Sequence, residues 1–140
     1  MRWVVAQPEC AASIRRDIAR DMRQAGFATD DVEDVLLVAS ELFSNAVRHA
    51  APLPSGELCV HWDLHADGLT VSVTDGGSAR EPRMQAPGPH DLAGRGLAIV
   101  TKMTDFWGVR RDDGTVTVWA HLPVRRSSRR TDMVRSANRA

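Results

Sequence analysis

Glu41-Leu42-Phe43-Ser44-Asn45-Ala46-Val47-Arg48-His49-Ala50 is the most informative stretch of the chain. Glu41, Asn45 and His49 recur every fourth residue, so on a helix they project from one face, each a turn above the last. Leu42, Phe43, Ala46 and Val47 supply the other faces for packing. From periodicity alone, a row of carboxylate, amide and imidazole beside an apolar stripe reads more readily as a solvated helix surface than as a site.

The helix that carries this row is bounded on both sides. Thr29 stands in the cap position, with Asp30 and Asp31 in the first turn, where acids complement the helix dipole. Pro52-Leu53-Pro54-Ser55-Gly56 stops it after Ala50. Upstream, Ile14, Ile18 and Met22 at four-residue spacing predict another helix over residues 9–25, closed by Gly26. A short strand from Trp3 to Ala6 comes first and is ended by Pro8.

Downstream the hydrophobic period changes from 3.6 to 2. Residues 57–65 and 69–75 alternate around the turn Ala66-Asp67-Gly68 and predict an antiparallel hairpin. Gly76 to Ala93 is rich in glycine and proline and fits neither period, which makes it a loop of functional length. A short helix over residues 95–103 follows. A second hairpin, 105–111 and 115–122 about Asp112-Asp113-Gly114, closes the fold. The order predicts an α+β, two-layer sandwich: a mixed, mostly antiparallel sheet with its helices on one face.

Composition sets the outer limits. With 140 residues, 43% of them hydrophobic and 26% charged, the chain suits one globular domain with a real core. No apolar run approaches the roughly 18–20 residues of a membrane span, and Met1-Arg2-Trp3-Val4-Val5 turns polar too early for a signal peptide, so the expected location is the cytoplasm. Cys10 and Cys59 carry neither CxxC nor Cys/His spacing and read as plain thiols. Eighteen basic and eighteen acidic residues cancel overall. Residues 123–140, however, hold six arginines against the single acid Asp132, a net +5 that leaves −5 on the rest. With so little apolar content this end reads as a flexible basic tail.

Two further segments match the helix row in character. Val71-Ser72-Val73-Thr74-Asp75-Gly76-Gly77 ends a buried-type strand on an acid and two glycines, which places a carboxylate where backbone approaches a ligand closely. Taken alone it also reads as an ordinary turn. Gly94-Arg95-Gly96 opens a helix, leaving N–H groups unobstructed toward an anion such as phosphate, although glycine there also serves as plain punctuation. No Gly-Lys-Ser/Thr follows, so it is not a Walker loop.

In this order and spacing the three segments resemble the ATP-binding fold of the GHKL superfamily (gyrase, heat-shock chaperone, histidine kinase and MutL type). Within it, the chain resembles the small bacterial anti-sigma-factor serine/threonine kinases. Glu41 to His49 is similar to the N box, Asp75-Gly76-Gly77 to the first glycine box and Gly94-Arg95-Gly96 to the second. The resemblance spans about residues 3–122 and marks 1–122 as the ATP-binding domain, with 123–140 as the tail. It implies that Asn45 coordinates Mg²⁺ on the ATP phosphates, a role suited to an amide oxygen. Glu41 would take the proton of the attacking hydroxyl. Asp75 would accept the hydrogen bond of the adenine amino group, and Gly77 would let the base approach. Gly94, Arg95 and Gly96 would meet the phosphates, with Arg48 and His49 assisting their charge. Ser78 to Ala93 would be the lid, with Arg80 and Arg83 as phosphate contacts. Ala79 departs from the family pattern, which often has glycine there.

The resemblance further implies a sigma factor and a STAS-type antagonist as partners, exchanged by phosphorylation, with no direct contact to nucleic acid or membrane. Homodimers recur among its members. A nucleotide-binding module that holds a partner without phosphotransfer is the alternative. Glu41 favours the kinase, because a pocket kept only for binding has less need of a carboxylate on that turn.

Overall fold

The computed structural model describes residues 1–77 and 92–126, with 92–97 described by backbone alone. The chain runs β1 (Arg2–Val5), a 3-10 turn (Pro8–Cys10), α1 (Ala11–Gln24), α2 (Thr29–His49), β2 (Glu57–His65), β3 (Gly68–Asp75), α3 (Leu92–Met103), β4 (Phe106–Asp112) and β5 (Thr115–Leu122). Five strands form one sheet in the order β1-β2-β3-β5-β4, and every neighbouring pair is antiparallel. Because β5 inserts between β3 and β4, those two run in the same direction, and the α3 crossover joins them. This is the expected α+β sandwich, with a sheet that is antiparallel at every pairing rather than mixed, because β5 separates the two parallel strands β3 and β4.

Alternation along the strands decides which face the helices cover. Leu69, Val71, Val73 and Asp75 on β3 stand opposite Leu122, Ala120, Val118 and Val116 on β5, and all eight are buried. Leu58 and Val60 on β2 and Val4 on β1 extend the same apolar surface. Onto it pack the stripes of α1 (Ile14, Ile18, Met22) and α2 (Val35, Val38, Leu42, Phe43), none more than 2% exposed. Burying side chains of this size stabilises by about 1.5–3 kcal/mol each, which is why two helices without side-chain caps hold their places.

Several boundaries differ from the sequence reading for local reasons. Strand β1 begins and ends one residue early, at Arg2 and Val5. Pro8 starts a 3-10 turn, so the α-helical bonding of α1 begins only at Ala11. Its end is a Schellman motif, with Phe27 N–H donating to the Met22 carbonyl (3.1 Å) and Gly26 N–H to that of Arg23 (3.1 Å), while Gly26 adopts φ +88°. Thr29 is the first residue of α2 rather than its cap. Ala28 holds the cap position in extended geometry, and Asp30 and Asp31 meet the free N–H groups by charge alone. Helix α3 starts at Leu92, so Gly94-Arg95-Gly96 lies inside its first turns instead of opening it.

Packing also continues past residue 122. Val124 is 5% exposed and joins the core, Arg126 bridges to Phe27, and its guanidinium lies 6.0 Å from the Phe27 ring centroid. The first residues of the expected tail are therefore packed against the loop between α1 and α2. The rest of the tail, 127–140, lies outside the described residues.

Candidate functional site

Asp75 is the last residue of β3 and points to the helix-covered face, where it is 4% exposed. A carboxylate there needs a donor. Gly77 supplies one: its N–H reaches back to Asp75 Oδ1 at 2.6 Å, a turn made possible by φ +81° at Gly77. Burial pushes the Asp75 carboxyl above its ordinary value, while the Gly77 N–H and the charge of Arg111 act in the opposite direction.

Two backbone hydrogen bonds tie this strand end to α2. Gly76 N–H donates to the Ala51 carbonyl at 2.9 Å, and Ala51 N–H donates to the Gly77 carbonyl at 3.3 Å. The approach is close enough that a Cβ on Gly76 would overlap the Pro52 carbonyl oxygen. Ala51 follows directly on the C-terminal cap of α2 at Ala50. The carboxylate of Asp75 and the last turns of α2 are thus fixed relative to each other by main chain, independently of any side chain.

Along α2, Glu41 and Asn45 are half-buried, whereas Arg48 and His49 are exposed in the last turn. Leu42, Phe43 and Ala46 are buried beside them, which prevents the helix from rotating its polar row away. Helix α3 packs against α2, so the segment with Gly94, Arg95 and Gly96 is carried by an element in contact with the helix of Glu41 and Asn45. Three of the expected segments are therefore placed on neighbouring elements. The expected lid residues 78–91, with Arg80, Arg83 and Ala79, lie outside the described residues.

The structure brings two further residues to this strand end. Ala51 is an unremarkable residue whose part is played entirely by its main chain. Arg111 stands in one row with Asp75, because Val116 pairs with Asp75 on one side and with Arg111 on the other. The hairpin turn Asp112-Asp113-Gly114 gives the pairing of Arg111 with Val116 from sequence. Nothing local gives the pairing of Val116 with Asp75.

The donor set suits a magnesium nucleotide: an amide oxygen for a hard cation, a carboxylate one turn away on the same helix face for a proton, and a buried acceptor at a strand end for a base. Among the described residues, no cluster of three or more His, Cys, Asp or Glu could hold a metal ion. No helix among the described residues is long and apolar enough to cross a membrane.

The chain is 30% identical over 122 residues to the serine-protein kinase RsbW of Bacillus cereus strain AH187, covering 79% of this chain and 76% of that protein. The RsbW of Bacillus thuringiensis subsp. konkukian strain 97-27 matches at the same identity and coverage. That of Bacillus thuringiensis strain Al Hakam is 29% identical over the same coverage. The pattern of the histidine kinase-like ATPase domain matches residues 4–122, which takes in every strand from β2 to β5 and all three helices. The chain belongs to the histidine kinase-like ATPase domain family.

Proposed function

We propose that this protein is an ATP-dependent serine/threonine kinase of the anti-sigma-factor type, acting in the cytoplasm. It would bind a sigma factor and phosphorylate a serine of a STAS-type antagonist, so that exchange between these partners controls transcription. The observation that carries the reading is the buried Asp75, held by Gly77 and tied through Ala51 to the helix bearing Glu41 and Asn45. The similarity to serine-protein kinases supports the choice of reaction.

In this reading Asp75 accepts the hydrogen bond of the adenine amino group. Asn45 offers its amide oxygen to Mg²⁺, and Gly94, Arg95 and Gly96 with Arg48 and His49 face the phosphates. ATP would supply the phosphoryl group, and Mg²⁺ held with the help of Asn45 would offset its negative charge. Glu41 takes the proton of the serine hydroxyl as that oxygen bonds to the γ-phosphorus and the bond from phosphorus to the departing ADP oxygen breaks.

Proton removal of this kind accounts for about 10²- to 10⁴-fold in rate, whereas nucleotide affinity rests on Asp75, Asn45 and the glycines. Glu41→Ala is therefore expected to abolish measurable transfer from labelled ATP to the antagonist's serine while leaving ATP affinity within a few-fold. If wild type binds ATP and a sigma factor but phosphorylates no STAS protein of its cell, the kinase reading falls and a binding module remains.

A further inference from the structure

His121 is a buried ionisable side chain with no part in the proposed reaction. It lies on β5, on the face of the sheet turned away from the helices, opposite Thr70 of β3 and Phe106 of β4. Along β3 the chain runs from Thr70 to Asp75, which puts about 17 Å between His121 and the strand end of the candidate site. His121 is 7% exposed because neighbours close round it. The Phe106 ring stacks on the imidazole at 5.2 Å between centroids, and the His65 ring of β2 at 6.3 Å. Gly68 passes its edge so closely that a Cβ there would stand 3.0 Å from Cε1 and Nε2.

Two carboxylates face the two ring nitrogens. Asp105 Oδ2 is 3.5 Å from Nδ1, and Asp67 Oδ1 is 3.8 Å from Nε2. A neutral imidazole offers one N–H donor and one lone pair, so it can serve only one of these acceptors, whereas the charged ring has a donor for each. Nδ1 is buried and makes no hydrogen bond among the described residues. Burial weighs against a charge on the ring, but an unpaired buried nitrogen weighs against the neutral form as well. Both acids are open enough to turn onto the ring, at 43% and 81% exposure. The other ionisable neighbour, His65, has its Nε2 3.1 Å from the Thr70 hydroxyl, and Lys102 in the last turn of α3 pairs with neither acid.

The acids belong to two different turns. Asp67 lies between β2 and β3, and Asp105 joins α3 to β4, its N–H already donating to the His121 carbonyl at 3.0 Å. We propose that His121 is a proton-operated latch: protonation of its ring closes charge-assisted hydrogen bonds to Asp105 and Asp67 together, tying the α3–β4 junction and the β2–β3 turn to β5. Imidazole is the side chain whose charge changes near neutrality, so acid closes the latch and alkali opens it. The stability it adds is present on the acid side of that range and is lost as pH rises through it. Helix α3, which carries Gly94-Arg95-Gly96, is held at its C-terminal end by this junction.

The test uses the full chain without nucleotide, as wild type, D105N and H121Q. Nitrogen-15 NMR reads the His121 ring, and amide hydrogen exchange, corrected for the intrinsic effect of pH, reads the protection of the amide at residue 105. Wild type is expected to gain several-fold protection there between about pH 8 and about pH 6, and H121Q none. In D105N the ring is expected to take up its proton at lower pH than in wild type. Urea titrations are expected to show that D105N costs a several-fold larger factor in the folded-to-unfolded ratio at the acid end than at the alkaline end. Coinciding ring titrations in wild type and D105N overturn the latch, as does equal protection of the wild-type amide at both ends of the range. If H121Q does not fold, the comparison of wild type with D105N decides alone. None of these measurements involves ATP, so a negative result leaves the nucleotide reading standing.

Discussion

Asp75, the proposed acceptor for the base, carries a charge that opposes the fold that holds it. Its carboxyl, raised above the ordinary 3.8 by burial, binds a proton more tightly in the folded than in the unfolded chain. Stability from this group is therefore greatest below 3.8 and falls as pH rises through the folded value, leaving a penalty at neutral pH. Asp75→Asn keeps an oxygen for the Gly77 N–H and removes the buried charge. The nucleotide-free variant is expected to melt above wild type at pH 7, with the two curves converging as pH falls toward 3.8. The same change should weaken ATP binding by about 10- to 100-fold, through loss of a charge-assisted bond of roughly 1.5–3 kcal/mol. Thermal scans and calorimetry on one pair of proteins check both signs. The acid and its glycines were legible as a motif; the burial of the acid was not, because burial depends on what the rest of the chain places over it.

At the scale of elements, the helices were legible because amphipathic stripes are local. Ile14, Ile18 and Met22 on α1 and Leu42 and Phe43 on α2 are buried as their spacing requires. Helix ends were less legible, since caps depend on one or two dihedral angles. Gly26 shows the cost: its φ of +88° completes the Schellman turn, yet a Cβ there would meet nothing within 4 Å. Gly26→Ala therefore strains only the backbone, and the expected loss is about 1–2 kcal/mol of unfolding free energy with ATP affinity unchanged. Urea titration and calorimetry test the separation. The α3 boundary was misread because glycines at 94 and 96 look like punctuation, although α-helical hydrogen bonding already encloses them.

For the whole molecule, the question is where the packed body ends. Val124 is buried and Arg126 covers Phe27, so the boundary set from composition stops short of the last packed residues. A chain ending at Arg126 is expected to unfold within a few degrees of the full chain. A chain ending at Leu122 loses the burial of Val124, about 1.5–3 kcal/mol, and should melt clearly lower. Equal melting of the two shortened chains would mean that Val124 contributes nothing. The charge count hid this contact, because six arginines in eighteen residues dominate any average over the segment.

The sequence by itself determined the two helical stripes, both hairpins and the α+β class. Each of these rests on spacing between residues close in the chain, where the period of a helix or strand imposes the pattern directly. Only the tertiary structure decided that β5 inserts between β3 and β4, that Ala51 ties α2 to the Gly76-Gly77 turn, and that Arg111 stands in the row of Asp75. These are pairings between distant segments. They are selected by which arrangement of the whole chain buries the most apolar surface while satisfying its main-chain hydrogen bonds, and no local window contains that comparison.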